Sequence, residues 1–154
     1  MKTALAITLC ALALAAPAVA RADDSEFQPR ASGAASDYDS GKIAIGRKDW
    51  KAAAAAFEAA ARSDPNDADI QNLLGYSHRK LGNMNLAFRY YARALELNPK
   101  HLGAHEYVGE AYLMVNNPAK AREHLAALDK LCPAKCEERD DLRKALADFE
   151  KKAR

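Results

Sequence analysis

The chain has 154 residues, 49% hydrophobic and 29% charged, with 23 Lys and Arg against 21 Asp and Glu and a formal net charge of +2. A nucleic-acid binder shows a basic stripe and a polybasic membrane switch shows clustered Lys and Arg. Neither pattern is present, so no nucleic-acid partner is expected, and the length fits one domain.

The amino end reads as a secretory signal peptide over residues 1–22. Met1-Lys2 is a short basic start, Ala4 to Ala16 is an apolar run broken only by Thr8, and Pro17 follows. Ala18-Val19-Ala20 and Ala20-Arg21-Ala22 both fit the small-x-small cleavage pattern. Ala22 is preferred, because a basic residue just after the cut hinders export. The run falls short of the roughly 20 apolar residues of a spanning helix, so no stable membrane insertion is expected after cleavage. A periplasmic or secreted location follows. Cys10 leaves with the run, and Leu9 before it is too large for a lipoprotein cleavage site. Residues 23–36 are small and polar, with Phe27 the one large apolar side chain, and read as a flexible leader.

Beyond the leader two markers share one period. Gly41, Gly75 and Gly109 are 34 residues apart, and so are Pro65, Pro99 and Pro133. A period of 20–50 residues signals stacked repeats, each burying its apolar face against its neighbours. Three repeats are expected over 37–135, each of two helices. In the first, Asp37, Ser40 and Ala44 hold the stripe positions of the first helix, a weak version suited to a terminal repeat. In the second, Ile70, Leu73, Leu74, His78 and Leu81 form one helical stripe. Gly82-Asn83 breaks it, and Leu86, Ala87, Tyr90, Tyr91, Ala94 and Leu95 form the next. Asn98-Pro99 ends that helix. In the third, Tyr107, Val108, Ala111, Tyr112 and Val115 precede the turn Asn116-Asn117-Pro118, and Ala121, Leu125 and Leu128 follow it. A glycine inside a helix costs about 1 kcal/mol against alanine. The recurrent glycine is therefore expected to permit close approach of the two helices of a pair. Residues 136–154 read as a capping helix, with Leu142, Ala145, Leu146 and Phe149 as one apolar stripe on a charged background.

These residues resemble the tetratricopeptide repeat family. In the second repeat Leu74-Gly75, His78, Gly82, Ala87, Tyr91, Ala94 and Pro99 fall where that family places its leucine-glycine pair, aromatic, glycine, alanine, aromatic, alanine and proline. Val108-Gly109, Tyr112, Ala121, Leu125, Leu128 and Pro133 do so in the third, and Gly41, Ala53, Phe57, Ala60 and Pro65 in the first. Asp37 and Ser40 depart from the pattern, and His78 replaces an aromatic. The resemblance implies an all-α fold: antiparallel helix pairs in a right-handed superhelix, with a concave groove lined by each first helix. The tail Leu128, Leu131, Cys132, Cys136, Glu137 and Glu138 also resembles that of small exported bacterial repeat proteins.

The groove is where function is expected, in a protein or peptide partner. Its candidate residues are Tyr38 and Lys42 with Ile45 in the first repeat; Asn72, Tyr76, Arg79 and Lys80 with Asp69 in the second; and Glu106 and Glu110 with Gly103 and Leu113 in the third. Lys42, Arg79 and Lys80 suit an acidic peptide, and Tyr76 offers rigid contact area. The alternative is a solvated helix face. The carboxylate-holding set of some family members is not reproduced, since Leu73, Gly103 and Tyr107 stand where it needs polar or basic groups.

Cys132 and Cys136 remain after export, and an even count in an oxidising compartment favours a disulfide. A redox pair is the alternative, although the spacing is one residue longer than the redox motif. Haem attachment needs another spacing and a histidine where Glu137 stands. His101 and His105 are four apart, but two nitrogens are not a metal site. His78 is expected to be a packed ring and His124 solvated or partly packed. No metal, cofactor or catalytic residue is expected: paired catalytic carboxylates, a nucleophile elbow and a phosphate loop are all missing. An exported adaptor is the leading reading. A structural subunit of a cell-envelope complex is the alternative, and a thiol-redox protein a third.

Overall fold

The computed structural model describes residues 32–152. The expected signal peptide and most of the expected leader lie outside them. Seven α-helices follow one another: α1 (Ser32–Gly46), α2 (Trp50–Ser63), α3 (Ala68–Lys80), α4 (Met84–Leu97), α5 (Leu102–Met114), α6 (Pro118–Leu131) and α7 (Glu137–Lys152). Among the described residues there is no strand. None of these helices is long and apolar enough to cross a membrane. α1 begins five residues earlier than the 37 expected, because Ala34 finds a fully buried place in the first core cluster. Small residues give no stripe from which to read that.

The 34-residue period is visible as backbone geometry. Each pair turns through one residue of positive φ, at Lys48 (57°), Gly82 (81°) and Asn116 (59°). The residue after each turn donates its N–H five residues back: Asp49 to the Ala44 carbonyl at 2.9 Å, Asn83 to His78 at 2.9 Å and Asn117 to Tyr112 at 2.8 Å. This is the capping geometry in which a left-handed residue satisfies the last carbonyls of a helix. Glycine adopts it without steric cost and asparagine at little, whereas Lys48 carries a Cβ into it. Asp49 and Asn117 then cap α2 and α6, accepting from the N–H of Ala52 at 3.0 Å and Lys120 at 3.2 Å. At the far end of each pair Asp64, Asn98 and Cys132 donate to Ala60, Ala94 and Leu128 at 2.8, 2.8 and 2.9 Å. Each precedes one of the periodic prolines, which keep the residue before them out of the helical region.

Packing follows the same beat. Ala53, Ala87 and Ala121 are fully buried, as are Phe57 and Tyr91, one period apart. A Cβ on Gly41 would lie 2.6 Å from the Phe57 ring, and one on Gly75 2.6 Å from the Tyr91 ring. The glycines therefore receive the aromatic of their own partner helix, as expected. Gly109 differs: its Cβ would lie 2.5 Å from Leu142 of α7. α7 packs on both α5 and α6, as the first helix of a fourth pair would. It buries Leu142 and Leu146 with Leu113, Ala121 and Leu128. Fully burying one such leucine contributes about 2 kcal/mol. Acids in its first turn and Lys151 and Lys152 in its last suit the helix dipole. Asp140 is met by Arg139 at 3.0 Å and Arg143 at 2.8 Å. Leu86 and Val115, expected in apolar stripes, are 37% and 44% exposed.

Candidate functional site

The first helices α1, α3 and α5, with α7, line one face of the stack. On α3 a run of polar groups is buried: Gln71, Asn72, Ser77, His78 and Arg79 are each below a tenth exposed. A central helix covered on two sides buries more than its apolar stripe, so several of these serve the scaffold. Gln71 donates to the Pro65 carbonyl at 3.1 Å. Asn72, expected in the open groove, is 5% exposed, and its amide nitrogen would be 3.3 Å from a Cβ on Gly103. It fills the space that Gly103 leaves between α3 and α5.

Arg79 also departs from the expected free cation. It is 7% exposed and donates to Glu110 at 2.6 Å, with its guanidinium 5.3 Å from the Tyr76 ring and 5.5 Å from Tyr107. Burial alone would lower its pKa, but the neighbouring Tyr91 and Glu110 raise it, so its charge is kept. Arg79 thus ties α3 to α5.

What stays accessible is a strip of aromatic rings. Trp50, at the start of α2, meets Tyr76 edge-on with centroids 5.9 Å apart, and Tyr76 meets Tyr107 at 4.9 Å. The exposed Lys80 places its Nζ 5.2 Å over the Trp50 ring and 5.8 Å from Tyr76. Burial pushes the Tyr107 phenol up to about 12, with Glu106 adding to it. Sequence reasoning set Tyr107 in the packing stripe and passed over Trp50. The available signal was that Trp50 is the one tryptophan of the chain and directly follows a turn. In the first repeat Tyr38 turns to Phe57, edge-on at 5.7 Å, while Lys42 lies 4.9 Å over the Tyr38 ring and 3.0 Å from Asp39.

The α5–α7 end is different in charge. Glu106 and Glu110 are half-buried, one turn apart on α5. Burial first, then Glu110, Asp141 and Glu138, push the Glu106 carboxyl up to about 8. Further along, a cavity of about 390 Å³ is lined by Arg79, Glu110, Leu113, Met114, Ala145, Asp148, Phe149 and Lys152.

The histidines and cysteines sit elsewhere. His101 caps α5, accepting from Ala104 N–H at 3.1 Å, and its Nε2 is 3.0 Å from Asp69. His105 pairs not with His101 but with His124, Nδ1 to Nδ1 at 3.0 Å, and its Nε2 is 3.0 Å from the Pro99 carbonyl. That carbonyl only accepts, so His105 carries its proton on Nε2 and accepts from His124. Burial, then His105, lower the His124 pKa to about 4. His78 stacks on Tyr90 at 5.3 Å, a packed ring as expected. Among the described residues no group of three metal-binding side chains occurs. Cys132 and Cys136 have adjacent sulfurs and Cα atoms 5.9 Å apart.

With this geometry in view, four similarities are informative. A tetratricopeptide repeat family model matches residues 38–101 and 77–135. The human protein O-mannosyl-transferase TMTC3 is 28% identical over 85 residues, 55% of this chain but 9% of that protein, so the match spans less than a tenth of that relative's length. Among solved structures, the TPR2B domain of yeast Sti1 in a complex with pHsp70 superposes with a TM-score of 0.71 at 19% identity, over 79% of this chain and 99% of that one. The Yersinia enterocolitica type III secretion chaperone SycD, in complex with a peptide of the translocator YopD, gives 0.67 at 19% identity, over 78% and 94%.

Proposed function

The chain belongs to the tetratricopeptide repeat family, and from that premise we propose that it is an adaptor whose groove holds a peptide segment or a partner protein by equilibrium recognition, with no bond made or broken. The observation that carries this reading is the strip Trp50–Tyr76–Tyr107, with Lys80 laid across its open end. Rigid aromatic rings beside a cation give large contact area at low entropic cost, the composition of interface hot spots. The two solved neighbours, each in a complex with a protein or peptide, support the same use of the fold.

Export belongs to the proposal. The signal-like residues 1–22 would send the chain to an oxidising compartment, where Cys132 and Cys136 form a disulfide closing the turn between α6 and α7. A thiol assay on exported protein tests it: no reactive thiol is expected, and two would sink the bridge.

The groove is tested by affinity isolation from envelope extract with wild type and with Tyr76→Ala/Lys80→Glu. Arg79→Glu is unsuitable, because it would leave Glu110 facing a buried carboxylate. The double variant is expected to lose the partner while keeping its helical content. Identical catches would show that the groove is not the site. Isolation only as part of an obligate complex would favour an assembly subunit.

A further inference from the structure

The trough between α5 and α7 offers a charge and a shape that the aromatic strip does not. At one end the Glu106 carboxyl is close to Glu110 on its own helix and to Glu138 and Asp141 on α7. The cation facing it is Arg79 on α3, already bonded to Glu110 at 2.6 Å. At the other end the 390 Å³ cavity has an apolar floor of Leu113, Met114, Ala145 and Phe149. Met114 is 59% exposed, unusual for a large apolar side chain beside a formed cavity. Asp148 and Lys152 stand on its rim. Five carboxyls (Glu106, Glu110, Glu138, Asp141 and Asp148) thus share the trough with two cations, Arg79 and Lys152.

We propose that this trough takes a cationic-apolar segment of a partner protein: a Lys or Arg beside Glu106, Glu138 and Asp141, and a Leu-, Met- or Phe-sized side chain on the floor of the cavity. The inference rests on the groove reading and fixes the partner's chemistry. An acidic segment would meet several carboxylates, of which Glu106, Glu110 and Glu138 are half-buried, and juxtaposed like charges disfavour it. The acidic peptide expected from Lys42, Arg79 and Lys80 is thereby restricted to the far end of the groove, since Arg79 is committed to Glu110.

A proton accompanies this binding. With its carboxyl held up at about 8, Glu106 is largely protonated at neutral pH. A docked cation favours the ionised form, so binding releases a proton, and affinity rises as the pH is raised toward about 8 and levels off above it. Glu110, Asp141, Glu138 and Arg79 are the charges that face Glu106 across this step, and Tyr107 lies beside it.

The test is selection of a random octamer phage library on the immobilised protein, in parallel with Glu106→Gln/Asp141→Asn. That variant removes repulsion and is expected to fold. Wild type should enrich octamers with Lys or Arg next to Leu, Met or Phe. A synthetic enriched octamer should bind about ten times more weakly to the variant, and the rise in affinity with pH should vanish there. Enrichment of acidic octamers that bind the variant equally well would overturn the inference and leave the groove reading standing. If wild type enriches no octamer beyond those recovered from the bare support, both fail.

Discussion

At the α3 end of the groove Lys80 lies over Trp50 and Tyr76, whereas at the α7 end Glu106, Glu138 and Asp141 crowd together beside an apolar cavity. The backbone under the two ends repeats closely, with left-handed turn residues at Lys48, Gly82 and Asn116. The packing does not. Gly41 and Gly75 receive an aromatic ring from their own pair, and Gly109 receives Leu142 from α7. The difference teaches that the repeat sets where a groove exists, while the side chains between the periodic beats and the helix that ends the stack set what each part of it can hold.

The largest way to break the comparison is to remove its carboxyl side. Deleting residues 137–154 takes the buried Leu142 and Leu146 away. The cost is expected to exceed about 4 kcal/mol, seen as aggregation by light scattering. A soluble, fully helical truncation would refute the capping role of α7. A finer contrast sets Gly75→Ala against Gly109→Ala in urea titrations. The methyl at 75 meets the fully buried Tyr91 ring, so a loss of about 1–3 kcal/mol is expected. At 109 it meets the branched end of Leu142, equally buried but smaller and less rigid than a ring, so a smaller loss is expected. Equal losses would erase the distinction between the two glycines.

Titration separates the ends further. An unfolded glutamate ionises near pH 4.3, while the Glu106 carboxyl is held up at about 8. The folded state therefore keeps its proton longer, and stability falls as the pH rises between those values. Glu106→Gln is expected to remove that fall, a gain on the order of 1 kcal/mol near pH 8 after solvent screening, with little change near pH 4. Thermal unfolding against pH checks it. His124 runs the other way. Its folded pKa of about 4 lies below the roughly 6.5 of a free imidazole. The unfolded chain takes the proton first, so stability is full above about pH 6.5 and falls toward pH 4. His124→Gln should flatten that limb. The bridge proposed between Cys132 and Cys136 would close only a short loop, so Cys136→Ser is expected to cost at most about 2 kcal/mol.

Much of the fold was legible in the chain. The glycines, alanines and prolines recur because each holds one packing or capping position, so the period carried the helix pairs and their turns. The start of α1 was not legible, because Ser32 to Ser36 offer no apolar stripe even though Ala34 is buried. The site was legible only in part. Tyr76, Lys80, Glu106 and Glu110 were placed on the groove side, but Arg79 and Asn72 are largely withdrawn into the α3–α5 contact. Helical periodicity gives the direction of a side chain, and burial depends on what the next pair lays over it. Trp50 escaped because it belongs to a second helix and reaches the groove only by way of the turn.

Amide hydrogen exchange of the wild-type protein, with and without an octamer enriched on it, tests the groove most directly. Added protection is expected on α3, α5 and α7 around Tyr76, Tyr107 and Glu106, with α4 and α6 unchanged. Protection confined to α2, α4 and α6 would put the partner on the outer face and contradict the account.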